Sequence, residues 1–129
     1  FLYYMIPRII LFRPDHNARV LVPKVDFISA TGTSAPGVWR RGGPHALVTG
    51  KAVFSFDRTA GRFTLVSIHP GESQEDIMQA TGFDYDVAAD VQETQAPDAE
   101  TLDLIRGEVG AEIAATYPNF AREKLGIAL

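Results

Sequence analysis

The chain has 129 residues, of which 46% are hydrophobic and 22% charged, with one Trp and eight Phe; this composition excludes disordered and fibrous classes and fits about one globular domain. It contains no cysteine, which removes disulfide frameworks, thiolate metal sites and cysteine nucleophiles from consideration. Net charge is −4, yet residues 1–62 carry nine Lys or Arg against three Asp, while residues 63–129 carry three against thirteen acids. The basic residues are scattered and accompany no recognition motif, so nucleic acid is not an expected partner; they suit phosphates, an acidic partner surface, or simply a solvated face.

Phe1 to Ile6 is apolar, but Pro7 and Arg8 stop the run, and neither a basic leader nor a small-residue cleavage site accompanies it. A soluble core strand is expected there, with no membrane partner and a cytoplasmic location. Because the chain opens on Phe1 and not on Met, it is expected to be a fragment or a processed piece. Arg8–Phe12 and Lys24–Ile28 are short β-branched and aromatic runs that read as buried strands, with Pro14, Asp15, His16 and Asn17 marking a loop. Thr31–Pro44 holds four glycines and two prolines in fourteen residues, too many for a helix or strand interior, and reads as a surface loop. A strand follows over Ala46–Thr49.

Lys51–Asp57 alternates, with Ala52, Phe54 and Phe56 on one face, and Arg62–Ile68 alternates likewise; Arg58-Thr59-Ala60-Gly61 joins them into a hairpin. After His69-Pro70-Gly71, Ser73 and Asp76 form a capping-box pattern for a helix ending at Gly82, with Ile77 and Met78 facing the sheet and Phe83 closing its end. Val91–Pro97 reads as a polar linker. Asp98 then caps a helix whose Leu102, Ile105, Val109 and Ile113 make one apolar stripe. Gly107 and Gly110 each weaken that helix by roughly 1 kcal/mol relative to Ala, so it depends on docking. Pro118 resets the chain before a last helix, Asn119–Leu125. The expected division is 1–90 as an α/β portion and 91–129 as linker and docking helices.

His16, His45 and His69 are the only histidines, and their spacings match no metal motif, so no metal site is expected. His69 reads as a turn residue. His16 follows the first strand, where α/β sheets place functional groups, and is a candidate to touch substrate or partner. Gly42 and Gly43 either let backbone amides approach an anion or simply turn the chain, and Gly32 and Gly37 are open to the same two readings. Trp39, flanked by Arg40 and Arg41, suits stacking on an adenine or a subunit interface, the latter preferred. No Gly-x-Ser-x-Gly elbow supports a serine triad.

Taken in order, Ile9-Ile10-Leu11, His16, Val20–Ile28, Gly42-Gly43-Pro44, Val48-Thr49, Ala52-Val53-Phe54, Phe56-Asp57, Leu65, His69-Pro70-Gly71, Asp76-Ile77, Ala80-Thr81-Gly82-Phe83 and Leu104-Ile105-Arg106 resemble the C-terminal portion of type I CoA-transferase beta subunits, of the glutaconate and 3-oxoacid kinds. The resemblance covers most of residues 8–109. It implies a three-layer α/β fold with a mainly parallel open sheet, a hetero-oligomer with an alpha-type subunit, and acyl-CoA metabolism. No cofactor is held permanently, and a coenzyme A thioester is the substrate. The chemistry implied is attack of a beta-subunit glutamate on the acyl-CoA to give a glutamyl-CoA thioester, with backbone amides stabilising the oxyanion.

The chain departs from that pattern at the nucleophile. No glutamate precedes Glu72, and Glu72 follows the His69-Pro70-Gly71 turn, where the family does not place its catalytic residue. No catalytic residue is therefore assigned, and this chain alone is expected to be inactive; His16, Gly32, Gly42 and Gly43 are the substrate- or CoA-proximal candidates. The tail also departs, with Gly110-Ala111-Glu112 where the family tends to continue with Asp-Pro. Two other readings stand beside transfer: a subunit of a ring-opening hydrolase of CoA-thioester metabolites, as in steroid degradation, and a non-catalytic assembly module.

Overall fold

The computed structural model describes residues 2–127. They group into two compact units, the first ending at Thr94 and the second beginning at Gln95. The first unit is built on one five-stranded sheet whose spatial order follows the chain: β1 (Arg8–Arg13), β2 (Gly43–Thr49), β3 (Ala52–Asp57), β4 (Arg62–Ile68) and β5 (Asp86–Glu93).

β1 pairs parallel to β2 and β4 to β5, whereas β2–β3 and β3–β4 are antiparallel. The open α/β sheet is therefore mixed, with parallel pairs only at its flanks. Chain length dictates this: the turns at 50–51 and 58–61 are too short for any crossover, so each must return antiparallel. Gly61 supplies the second turn with its positive φ of 67°. The parallel pairs are joined instead by the long irregular segment 14–42 and by 69–85, which carries helix α2 (Gln74–Ala80). Pro44, which has no N–H to give the ladder, sits opposite Ile9, and the register slips immediately afterwards, with Ile10 opposite Ala46.

The core lies beneath the hairpin. Phe54, Leu65 and Ile77 are fully buried, with Leu21, Leu47 and Ala52 beside them and Phe63, Phe83 and Tyr85 packed around. Phe54 is the centre of the aromatic cluster: its ring lies 5.2 Å from Tyr85, 6.3 Å from Phe83 and 6.4 Å from Phe63, centroid to centroid. Burying each such side chain stabilises the fold by about 1.5–3 kcal/mol. The alternation expected for Ala52, Phe54 and Phe56 holds, since the first two have no exposed surface. The α2 capping box is present: Ser73 Oγ accepts from the Asp76 amide, and the Asp76 carboxylate accepts from the Ser73 amide. The Ser73 hydroxyl, donating to the Asp76 carboxylate, and then the Ser73 amide hold the Asp76 carboxyl below its usual range. Phe83 closes the helix against the core as its position predicts.

Five expectations are corrected. Leu2–Met5 is a short helix, α1, and not a strand; Phe1 lies outside the described residues. Lys24–Ile28 forms no strand, and Val25, Phe27 and Ile28 are 51%, 81% and 61% exposed. The preceding residues are drawn to α2, where the Gly82 amide donates to the Leu21 carbonyl at 2.7 Å, so segment 24–28 finds no ladder partner among the described residues. Met78 points outward, 63% exposed, because Ile77 alone occupies the buried position of so short a helix. Val91–Glu93 is not linker but the end of β5, an edge strand polar enough to hide its pairing. β1 itself is only half covered, with Ile10 and Phe12 exposed.

The second unit holds helix α3 (Ala99–Leu104), a π-helical turn (Ile105–Val109), α4 (Gly110–Thr116) and α5 (Pro118–Leu125). Asp98 caps α3, its carboxylate accepting from the Thr101 amide at 2.8 Å. Gly110 is where α4 meets the chain end: a Cβ there falls 2.1 Å from Ile127 Cδ1. Pro118 opens α5 at its first turn, and Gly126 ends it in the left-handed region.

Candidate functional site

β1, β2, β4 and β5 run in the same direction, so their carboxyl ends share one edge of the sheet. In open α/β sheets that edge is the usual place for a site. Here it gathers His16 after β1, Thr49 at the end of β2, His69 after β4 and Thr94 after β5, with Lys51 in the β2–β3 turn and Glu72 before α2.

His16 is buried and spans the edge. Its Nδ1 lies 2.8 Å from Thr49 Oγ1 and its Nε2 lies 2.9 Å from Thr81 Oγ1. Donor counting fixes the proton. The Thr81 hydroxyl donates to the Ile77 carbonyl at 2.7 Å, so it accepts from His16 Nε2–H. Thr49 Oγ1 already accepts from the amides of Lys51 and Ala52 at 3.2 and 3.0 Å, so its own proton is best used toward Nδ1. The Ala52 carbonyl, 3.0 Å away, is the alternative recipient of that proton. His16 therefore carries a proton on Nε2, and its neutral form is the Nε2–H tautomer. Burial first, then the Lys51 ammonium, hold it below the ordinary histidine value; His69 acts in the same sense and the Glu72 carboxylate opposes them.

His69 repeats the pattern. Its Nε2–H donates to the Thr49 carbonyl at 2.9 Å, while Nδ1 lies 2.9 Å from Thr94 Oγ1, and Thr94 lies 2.8 Å from Ser67 Oγ. Lys51 Nζ meets Glu72 Oε2 at 2.5 Å in a half-buried pair. Neither histidine keeps a nitrogen for proton transfer, and Glu72 is neutralised by its partner. This edge therefore clamps the ends of β1, β2, β4, β5 and α2 together.

The glycine candidates lie at the opposite end of β2, about 20 Å away along the strand. Gly42 is where backbone crosses backbone: a Cβ there meets the Pro7 and Ile6 carbonyl oxygens at 2.0 and 2.3 Å. A Cβ on Gly43 falls 3.2 Å from both the Gly32 carbonyl oxygen and Arg40 Nε. The structure thus brings Gly32, Gly42 and Gly43 together and leaves His16 at the other edge. Arg40 belongs to the glycine group, its Nε donating to the Gly42 carbonyl at 2.7 Å, and its guanidinium carbon lies 4.7 Å from the Tyr4 ring centroid.

Sequence reasoning missed the threonines and the Lys51–Glu72 pair. Thr49 and Thr81 stand 33 and 65 residues from His16, and no spacing rule reaches that far. Among the described residues no group of three or more His, Cys, Asp or Glu is placed to hold a metal ion. No helix among them is long and apolar enough to cross a membrane.

Comparison with known proteins places this geometry in context. The chain is 36% identical over 102 residues to the beta subunit of glutaconate CoA-transferase from Acidaminococcus fermentans, covering 74% of this chain and 38% of the relative. It is 29% identical over 115 residues to the beta subunit of 3-oxoadipate CoA-transferase from Pseudomonas knackmussii, covering 84% and 43%. The chain therefore spans about two fifths of the length of these curated relatives. Among solved structures, glutaconate coenzyme A-transferase of A. fermentans superposes with a TM-score of 0.64 at 30% identity, over 79% of this chain and 41% of that one. The Rhodococcus jostii IpdAB structure gives 0.69 at 29%, over 78% and 42%. The decarboxylase AibA/AibB gives 0.58 at 27%, over 77% and 37%. No protein-family model matches the chain.

Proposed function

The chain is a homologue of the type I CoA-transferase beta subunits, and from that relationship we propose that it forms part of a subunit that moves coenzyme A between carboxylic acids. The observation that carries the reading is the identity of 36% over 102 residues, joined to a common fold. In the proposed reaction a glutamate carboxylate attacks the acyl-CoA carbonyl and is converted to a glutamyl-CoA thioester, splitting one hard acyl transfer into two easier ones. That glutamate is proposed to lie outside this segment, a reading supported by the absence of any glutamate before Glu72 and by the pairing of Glu72 with Lys51.

Within the segment, Gly32, Gly42 and Gly43 are the proposed CoA-proximal positions through the loop they shape, since a Cβ at each would meet the chain's own atoms. His16 is proposed as a positioning residue that fixes the loop after β1. An alpha-type subunit is the proposed partner, and the exposed apolar residues of β1 and the following segment, among them Ile10, Phe12 and Phe27 at 63%, 65% and 81% exposure, supply surface for it. Coenzyme A thioester is the proposed substrate, with no permanently bound cofactor and a cytoplasmic location.

A second reading, hydrolysis of a CoA-thioester ring compound, is favoured by likeness to IpdAB: the R. jostii relative named as the cholesterol ring-cleaving hydrolase IpdB subunit is 30% identical over 95 residues, and the TM-score to IpdAB, 0.69, exceeds the 0.64 to glutaconate coenzyme A-transferase. Product analysis separates the two. The complete complex is supplied with acyl-CoA and an isotopically labelled acceptor acid. Transfer yields labelled acyl-CoA and the free donor acid; thioester retained on an opened ring supports the hydrolase reading and refutes transfer.

A further inference from the structure

Two clefts adjoin at the amino end of β2, and neither has a role in the clamp described above. One, of about 570 Å³, is walled mainly by apolar groups, among them Tyr4, Met5, Val38 and Trp39. The other, of about 380 Å³, is polar and is lined by Arg40 and Arg58 with Thr59 and Gly32. Thr33, Ser34 and Val38 border both, so the two are halves of one amphipathic depression.

The cationic half lacks a counter-charge. Among the described residues neither Arg40 nor Arg58 is paired with a carboxylate. The nearest acid in sequence, Asp57, is occupied by the amides of Thr59 and Ala60 at 2.7 and 3.0 Å. Arg40 is fixed in place by the Gly42 carbonyl and by the Tyr3 and Tyr4 rings, 5.6 and 4.7 Å from its guanidinium carbon. Its Nη2 is buried and finds no acceptor among the described residues, and Nη1 reaches Ser34 Oγ only at 3.5 Å. A guanidinium held in place without a carboxylate partner, next to a second arginine, suits a phosphate. The apolar half beside it offers an exposed indole, Trp39 being 71% exposed, and flat aromatic surfaces accept a base by stacking.

We propose that this depression binds the nucleotide end of coenzyme A, with the adenine against Trp39 and Tyr4 and the phosphates at Arg40 and Arg58. The proposal rests on the CoA reading above for the identity of the nucleotide, while the pairing of an apolar and a cationic cleft is independent of which reaction follows. It also assigns Trp39 to a ligand, where the sequence had favoured an interface.

The chain's single Trp makes the test direct. Adenosine 3′,5′-bisphosphate titrated into the chain quenches Trp39 fluorescence saturably, adenosine binds more weakly, and inorganic phosphate leaves the emission unchanged. Arg58→Ala, on an exposed hairpin turn, weakens binding at least tenfold, and Arg40→Met does the same with unchanged circular dichroism. Absence of saturable quenching, or equal affinity in Arg58→Ala, overturns the proposal. Because the probe has no thiol, nucleotide binding in a complex that fails to transfer CoA leaves this proposal standing and removes only the transferase reading.

Discussion

Replacing His16 with Gln tests the clamp at the carboxyl edge of the sheet. The substitution removes the two ring hydrogen bonds at 2.8 and 2.9 Å, but it orphans neither threonine, because Thr49 keeps the Lys51 and Ala52 amides and Thr81 keeps the Ile77 carbonyl. Each lost bond then costs about 0.5–1.5 kcal/mol. The space left beside Phe54, whose centroid is 6.0 Å from the imidazole, adds a cavity contribution, for a total of about 2–4 kcal/mol. The pH dependence is more specific. His16 is depressed below 6.5 in the folded chain, so as pH falls the unfolded state takes up the proton first. Stability is full above pH 6.5 and is lost below it, down to the depressed folded value, with a slope of at most about 1.4 kcal/mol per pH unit from this group. Urea denaturation from pH 8 to pH 5 reads both effects: His16→Gln lowers the midpoint at pH 8 and flattens the decline below pH 6.5. An unchanged midpoint, or an equal decline in variant and parent, refutes the neutral buried clamp.

Phe54→Ala empties the middle of the aromatic cluster and costs about 3–5 kcal/mol, read as a lower denaturation midpoint with unchanged m; a loss below about 1 kcal/mol contradicts the placement of the core. Gly42→Ala sets a methyl against the Pro7 and Ile6 carbonyls at 2.0 and 2.3 Å. Backbone cannot yield as a flexible side chain does, so the expected loss is about 3 kcal/mol or more. Gly107→Ala is its counterpart: a Cβ there meets nothing within 4 Å, and the helix gains up to about 1 kcal/mol, visible as increased helicity by circular dichroism.

Much of the first unit is legible in the residues because its signals are local. The hairpin alternation, the Gly61 turn and the Ser73–Asp76 capping box each fall within a few residues, and each forms as read. Failures occur where tertiary partners decide. Lys24–Ile28 has strand composition but no neighbouring ladder, and β5 has a ladder but no strand-like composition, with most of its residues exposed. The site follows the same rule. His16, Gly32, Gly42 and Gly43 are identifiable from sequence, but their separation to opposite ends of β2 is a consequence of the parallel β1–β2 pairing across a long loop. That Arg40 is held by Tyr3 and Tyr4 without a carboxylate partner among the described residues is visible only once the chain is folded.

The central claim, that this segment supplies scaffold and ligand-facing surface while the reactive carboxylate lies elsewhere in the assembly, is tested by peptide mapping. The complete complex is incubated with acyl-CoA and reduced with borohydride, which converts a glutamyl thioester to a stable alcohol, and the modified peptide is identified by mass spectrometry. Modification of a glutamate outside these 129 residues is the predicted result. Modification of Glu72, or of any other glutamate in this segment, contradicts the account.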